Sequence, residues 1–119
     1  MALTKQMKAA WIAEMRDPNT TQCFNTYYQD SPRYESIICH MTNHPKEIHC
    51  MCALGCLIKT SLLNDHKTTR WDDMFIKAFG VPSDPCTDYK GIIIKMNDYQ
   101  RKSLVEIADW VEANVPTID

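Results

Sequence analysis

The sequence predicts a small α+β domain in which three to four helices accompany a short β-sheet. Three observations support this class. Apolar residues recur at helical spacing in several segments, two other segments are rich in β-branched and aromatic residues, and 119 residues is the length of one ordinary domain. No internal repeat or linker-like stretch divides the sequence. We therefore predict a single domain over residues 1–119.

Four segments have the pattern of helices. In the first, apolar residues recur at steps of three and four before Pro18 ends the segment, and in the second the residues are apolar almost throughout. Gly80 follows the third as a helix stop, and Ser103 and Glu106 open the fourth as a capping box. The predicted helices are Leu3–Arg16, Cys50–Leu63, Trp71–Phe79 and Ser103–Asn114.

Two segments have the composition of strands. Thr20–Ile38 carries aromatic and β-branched residues on both sides of the turn-forming Asp30-Ser31-Pro32, which favours a hairpin or an irregular strand pair. Gly91–Met96 holds three consecutive isoleucines between turn formers and predicts a buried strand. Together they would supply the short sheet.

Charge and hydropathy exclude some function classes. With 13 Lys and Arg against 15 Asp and Glu, the net charge of -2 lacks the basic excess that nucleic-acid binding needs. The longest apolar stretch, Met51–Ile58, is far shorter than the roughly 20 residues that cross a bilayer. The start lacks the apolar segment of a signal peptide. We expect a cytoplasmic protein without nucleic-acid or membrane partners, its six cysteines reduced.

Cysteine and histidine are concentrated between residues 39 and 56, which allows a zinc site. Two spacings, H-x3-H and C-x3-C, resemble those of zinc ligands, although C-x2-C does not occur. Buried apolar thiols and solvated histidines explain the same pattern without a metal. The zinc alternative, a metal-stapled interaction module, would use His40, His44, Cys52 and Cys56.

The same region allows a cysteine hydrolase. A nucleophilic thiolate is stabilised at a helix N-terminus beside a histidine, and Cys50 and Cys52 lie near a predicted helix start just after His49. His40 and His44 are further candidates for the base. Burial of the segment would make these thiols inert instead.

Short motifs across the chain resemble a family of small uncharacterised proteins of tailed bacteriophages and prophages. The shared pattern reads W-x4-R…Q…C-x-L-G…L-N-D…S-x-x-E-I-A-D-x-I-E. Here it occurs as Trp11, Arg16, Gln22, Cys52-Ala53-Leu54-Gly55, Met96-Asn97-Asp98 and Ser103 with Glu106–Glu112. This chain departs from the pattern in Met96, in a longer polar segment from Thr20 to Pro45, and in its additional Cys and His residues.

The resemblance implies a context but no activity. By analogy with small phage proteins, our leading hypothesis is a non-enzymatic accessory protein with a host-takeover or anti-defence role in the bacterial cytoplasm. It would bind a host protein or sequester a nucleotide-like signalling molecule, and its oligomeric state stays open, a homo-oligomer included. Arginine, amide and carboxylate groups beside an aromatic ring can orient a polar ligand. The predicted ligand-binding residues are Trp11, Arg16, Gln22, Asn97 and Asp98.

Overall fold

The computed structural model describes residues 2–30, 48–60 and 71–119. These residues form five α-helices and two short strands, with a 3-10 turn at Pro85–Thr87 and a π-helical segment at Lys95–Tyr99. In chain order the elements are α1 (Lys5–Arg16), β1 (Tyr28–Asp30), β2 (Ile48–Met51), α2 (Ala53–Thr60), α3 (Trp71–Phe79), α4 (Tyr89–Ile94) and α5 (Leu104–Asn114).

The predicted α+β class is wrong, because the described part of the chain is mostly helical. Its strands, three and four residues long, pair antiparallel as an irregular ribbon and do not form a sheet layer against which helices could pack. The strand predicted over Gly91–Met96 is helical instead. The side chain of Asp88 caps α4 by accepting a hydrogen bond from the Gly91 N–H, and Ile93 is fully buried on the helix. Helix capping and burial outweigh the β-propensity of the isoleucines.

The predicted hairpin and the predicted second helix both need revision. β1 pairs with β2, so the partner of the Tyr28 strand is the segment that was expected to open a helix at Cys50. α2 begins only at Ala53. Parts of both predictions fall outside the described residues. These parts are most of the proposed turn at residues 30–32, the hairpin residues that follow it to Ile38, and the predicted helix end at Leu63.

The other three helices confirm the sequence prediction closely. α1 lies within the predicted range and is capped by Thr4, α3 matches its predicted bounds, and Gly80 ends α3 with a positive φ of 80°. Ser103 caps α5 by accepting a hydrogen bond from the Glu106 N–H at 3.1 Å. The Glu106 carboxylate accepts a hydrogen bond from the Ser103 hydroxyl, so the side chain closes the cap without reaching the backbone.

α2 forms the centre of the core. All residues from Ala53 to Ile58 are buried, and α1, α4, α5 and β2 pack around them. Trp11 of α1 is fully buried and donates its indole N–H to the Ala53 carbonyl at 2.7 Å. At the surface, Arg16 joins α1 to α5 through ion pairs with Asp109 and Glu112. Two carboxylates of α5 therefore have a basic partner on α1.

None of the helices in residues 2–30, 48–60 and 71–119 combines the length and apolar composition that crossing a bilayer requires.

Gly55 allows α2 to approach the segment before β1 closely. A Cβ at this position would lie 1.8 Å from the Tyr27 carbonyl oxygen, which already accepts the Cys52 N–H at 2.8 Å. We expect Gly55→Ala to lower the free energy of unfolding by about 3 kcal/mol, because the backbone must move apart. Urea denaturation followed by circular dichroism measures the loss.

Gly91→Ala is the matched control. Its Cβ would meet only the carboxylate of Asp88, which can rotate away, and the helix propensity of alanine offsets the weakened cap. We expect a change within about 1 kcal/mol. Equal destabilisation by both substitutions would contradict this account of Gly55.

Candidate functional site

The π-helical segment Lys95–Tyr99 places Asn97 and Asp98. It follows α4 directly, and the Gln100 N–H donates to the Lys95 carbonyl at 2.9 Å, a spacing of five residues. π-helical turns are rare in proteins and are frequent at functional sites. The strand predicted over Gly91–Met96 would have ended directly before this pair. That prediction is wrong, because α4 precedes the segment and both residues lie within the π-helical segment.

Asn97 is a buried hydrogen-bonding centre. Only 1 % of its surface is exposed, and it is the one buried polar residue among those described. Its Oδ1 accepts from Gln22 Nε2 at 2.9 Å and from the Ala53 N–H at 3.2 Å. Its Nδ2 donates to the Cys23 carbonyl at 3.0 Å and to Asp98 Oδ1 at 2.8 Å. All four hydrogen-bonding positions of the amide are thereby used.

The residues after α1 complete this network. Gln22 Nε2 also donates to the Lys102 carbonyl at 2.8 Å, so it links the π-helical segment to the approach of α5. The Asn25 N–H donates to Asp98 Oδ1 at 2.9 Å, and Asn25 itself has a left-handed φ of 64°. Asparagine adopts this conformation more readily than most residues. Asp98 therefore fixes the turn that carries Asn25.

A cleft of about 390 Å³ opens beside this network. Ligand pockets in proteins usually measure roughly 300–1,000 Å³ and combine apolar walls with a few polar groups. This cleft has both. Its described lining consists of Asn25, Thr26, Tyr27, Cys52, Leu54, Ile93, Ile94, Asn97 and Asp98.

Cys52 directly precedes α2 and belongs to the described lining of this cleft. Burial raises the pKa of Cys52 to about 11, although hydrogen bonds from the N–H groups of Gly55 and Leu54 act in the opposite direction. The negative charge of Asp98 raises this pKa further. Near pH 7 the group is a neutral thiol, which disfavours its use as a nucleophile.

Other cysteines of the proposed hydrolase and zinc sets are also buried. Cys50 of the hydrolase set is buried, and burial raises the pKa of Cys56, which belongs to the zinc set, and of Cys23, which belongs to neither set. His40, His44 and His49 cannot be placed against them, because His40 and His44 lie outside the described residues and the side chain of His49 is not described. Among the described residues, no three His, Cys, Asp or Glu side chains are grouped to hold a metal ion. The zinc set His40, His44, Cys52 and Cys56 stays a prediction.

The five predicted ligand-binding residues occupy different places. Asn97 and Asp98 line the cleft, and Gln22 holds Asn97 from outside it. Trp11 lies in the core and reaches the network through Ala53. Arg16 lies on the outer face of α1, where it pairs with α5.

Sequence reasoning missed the walls of the cleft. Ile93 and Ile94 were assigned to a strand, and Leu54 was expected to be ordinary core. Tyr27 was predicted to lie in the strand pair of Thr20–Ile38 but comes directly before β1, and Thr26 belongs to no motif. The nearest signal was the turn-forming character of Asn25, which does not reveal its contact with Asp98, 73 residues away.

Comparison with protein-family models, curated proteins and solved structures gives no match for this chain.

Replacing Asn97 tests whether its amide holds this region together. In Asn97→Asp an oxygen replaces Nδ2 and faces the Cys23 carbonyl and Asp98, so two attractive contacts become repulsive. We expect the free energy of unfolding to fall by about 3 kcal/mol, measured by urea denaturation. The control Asn114→Asp makes the same change at an exposed amide of α5. Equal midpoints for the two variants would contradict the role of Asn97.

Thiol alkylation tests the protonation state and burial of the cysteines. In native protein at pH 7 we expect iodoacetamide to modify the exposed Cys86 first and the buried Cys23, Cys50, Cys52 and Cys56 slowly. With a pKa of about 11, the rate at Cys52 should rise about tenfold per pH unit between pH 7 and pH 9. Peptide mapping by mass spectrometry measures each site, with urea-unfolded protein as the control. Modification of Cys52 as fast as Cys86 at pH 7 would revive the hydrolase hypothesis.

Proposed function

We propose that this protein is a non-enzymatic binding protein that holds a small molecule in the cleft beside Asn97. The observation that carries the proposal is the cleft itself, in which apolar walls from α2 and α4 meet the carboxylate of Asp98. The resemblance to small phage proteins supports a role in which binding withdraws this molecule from a host process. Small-molecule capture thus has more structural support than the masking of a host protein.

Hydrogen bonds hold the residues around the cleft in fixed positions. Asn97 makes four hydrogen bonds, and two segments distant in sequence, the turn at Asn25 and the start of α2 at Ala53, are tied to this residue and to Asp98. A site whose walls are held before the ligand arrives loses less entropy on binding. The network therefore favours a preformed site over one that folds around its ligand.

The chemistry of the cleft supports binding more than catalysis. A hydrolase of the cysteine type needs a thiolate, and burial keeps the Cys52 thiol neutral near pH 7. Asp98 increases this effect because its negative charge opposes ionisation of the sulfur. In the cleft, the Asp98 carboxylate therefore acts as a hydrogen-bond acceptor, and the Cys52 thiol is a weakly polar group without nucleophilic character.

A thermal-shift screen with a library of bacterial metabolites tests the proposal. A ligand present at ten times its dissociation constant stabilises the folded state by about 1.4 kcal/mol, enough to raise the Tm by several degrees. We expect at least one compound to do so with the wild-type chain. No stabilising compound in the library would contradict the proposal.

Two tryptophan variants locate the binding. Ile94 lines the cleft and is half-buried, so Ile94→Trp should fill the space and abolish the Tm shift. Ile118 has 55 % of its surface exposed and does not line the cleft, so Ile118→Trp should retain the shift. Both variants are first compared by circular dichroism. A shift that survives Ile94→Trp in a folded protein would place the ligand elsewhere.

A further inference from the structure

The charge of the cleft indicates the class of its ligand. Asp98 Oδ1 accepts two hydrogen bonds, from the Asn25 N–H and from Asn97 Nδ2. Asp98 Oδ2 accepts no hydrogen bond from any residue in the described ranges. A carboxylate offers about four acceptor positions in all. Two of these, on Oδ2, are therefore not used by any residue of the described ranges.

The negative charge of Asp98 is also without an ion-pair partner among the described residues. The ion pairs of this part of the chain join Arg16 to Asp109 and Glu112, and Lys59 to Glu14. No Lys, Arg or His occurs in the described lining of the cleft. The nearby guanidinium of Arg101 lies over the ring of Phe24, 4.5 Å from its centroid, and does not pair with Asp98. The described lining thus carries one negative charge.

The start of α2 does not offer a phosphate site. A helix N-terminus binds anions through N–H groups that lack intrahelical partners. Here the Ala53 N–H donates to Asn97 Oδ1 at 3.2 Å, and the Gly55 N–H is directed at the sulfur of Cys52 at 3.4 Å. These two donors are therefore already engaged within the protein, and the negative charge of Asp98 would repel a phosphate.

The walls of the cleft select for an apolar body. Ile94 is half-buried and supplies accessible aliphatic surface, whereas Leu54 and Ile93 line the cleft with only 1 % and 0 % of their surface exposed. A ligand that satisfies both the walls and the carboxylate carries a positive charge at one end of a small apolar group. Ammonium groups provide up to three donors for the available positions of a carboxylate oxygen.

We propose that the cleft binds a small organic cation, a primary amine whose ammonium group pairs with Asp98 and whose hydrocarbon part packs against the exposed part of Ile94. This inference rests on the proposed function and narrows it: the ligand is an amine and not a nucleotide. Asp98 is then the residue that determines specificity, while Asn97 positions it.

Matched probes test the charge requirement on the chain of 119 residues. 2-Phenylethylamine, 2-phenylethanol and phenylacetate have similar size and differ in charge, and adenosine monophosphate represents the nucleotide class. By isothermal titration calorimetry we expect the amine to bind at least about tenfold tighter than the alcohol, because a charge-assisted hydrogen bond is added. Phenylacetate and adenosine monophosphate should not bind in the cleft.

Asp98→Asn provides the protein side of the test. The substituted side chain keeps an oxygen for Asn25 and Asn97 but presents an amide donor where Oδ2 was, so amine affinity should fall to that of the alcohol. Asp109→Asn removes the same charge at an exposed site on α5 and should leave amine affinity unchanged. Urea denaturation confirms that both variants fold. If Asp98→Asn fails to fold, the comparison of amine with alcohol on the wild-type chain still decides.

The outcomes separate this inference from the proposed function. Equal affinity for amine and alcohol, or an amine affinity that survives Asp98→Asn, would overturn the cation inference and leave the cleft as a binding site. Binding of adenosine monophosphate that is lost in Ile94→Trp would overturn it in favour of a nucleotide. Binding of none of the four probes would also overturn it, and the metabolite screen would then decide the proposed function separately.

Discussion

The fully used amide of Asn97 is the constraint on which this structure most depends. Its four hydrogen bonds reach Gln22, Cys23, Ala53 and Asp98, so one side chain joins the segment after α1, the start of α2 and the π-helical segment. A buried amide that loses partners costs about 1–3 kcal/mol for each unsatisfied group. The network is therefore stable only when all three segments are in place together, which accounts for an irregular helix at the point where they meet.

The same network sets the electrostatics of the cleft. Asn97 Oδ1 accepts from the Ala53 N–H at the start of α2, and the Cys52 sulfur accepts from the Gly55 N–H, so two of the N–H donors at this helix end are hydrogen-bonded within the protein. Asp98 adds a negative charge whose Oδ1 is engaged with Asn25 and Asn97. Asn97 thus contacts both the start of α2, through the Ala53 N–H, and the carboxylate of Asp98. The hydrogen bonds of Asn97 therefore contribute to the stability of the fold and also hold the carboxylate that gives the described lining its negative charge.

Sequence patterns predicted the helices whose signals are local. α3 and α5 have apolar periodicity bounded by Gly80 or Ser103, and those stops and caps act within a few residues. The Gly91–Met96 prediction failed because three isoleucines favour a strand locally, while the short-range cap from Asp88 favours a helix and the burial of Ile93 depends on the tertiary structure. The cleft was only partly predictable for the same reason. Asn97 was identified as a candidate, but its bond to Ala53 spans 44 residues and has no signature in the sequence.

The residues of the sequence pattern that runs from Trp11 to Glu112 have two structural roles in this chain, some in the frame and one in the cleft. Trp11 bonds the Ala53 carbonyl, Gln22 bonds Asn97, and Gly55 admits the Tyr27 carbonyl, so these residues hold the frame. Asp98 also belongs to the shared pattern, whereas the isoleucines of α4 that form the apolar wall do not. The residues of this frame meet at Asn97, and Asn97 together with the Asn25 N–H holds the Asp98 carboxylate in place.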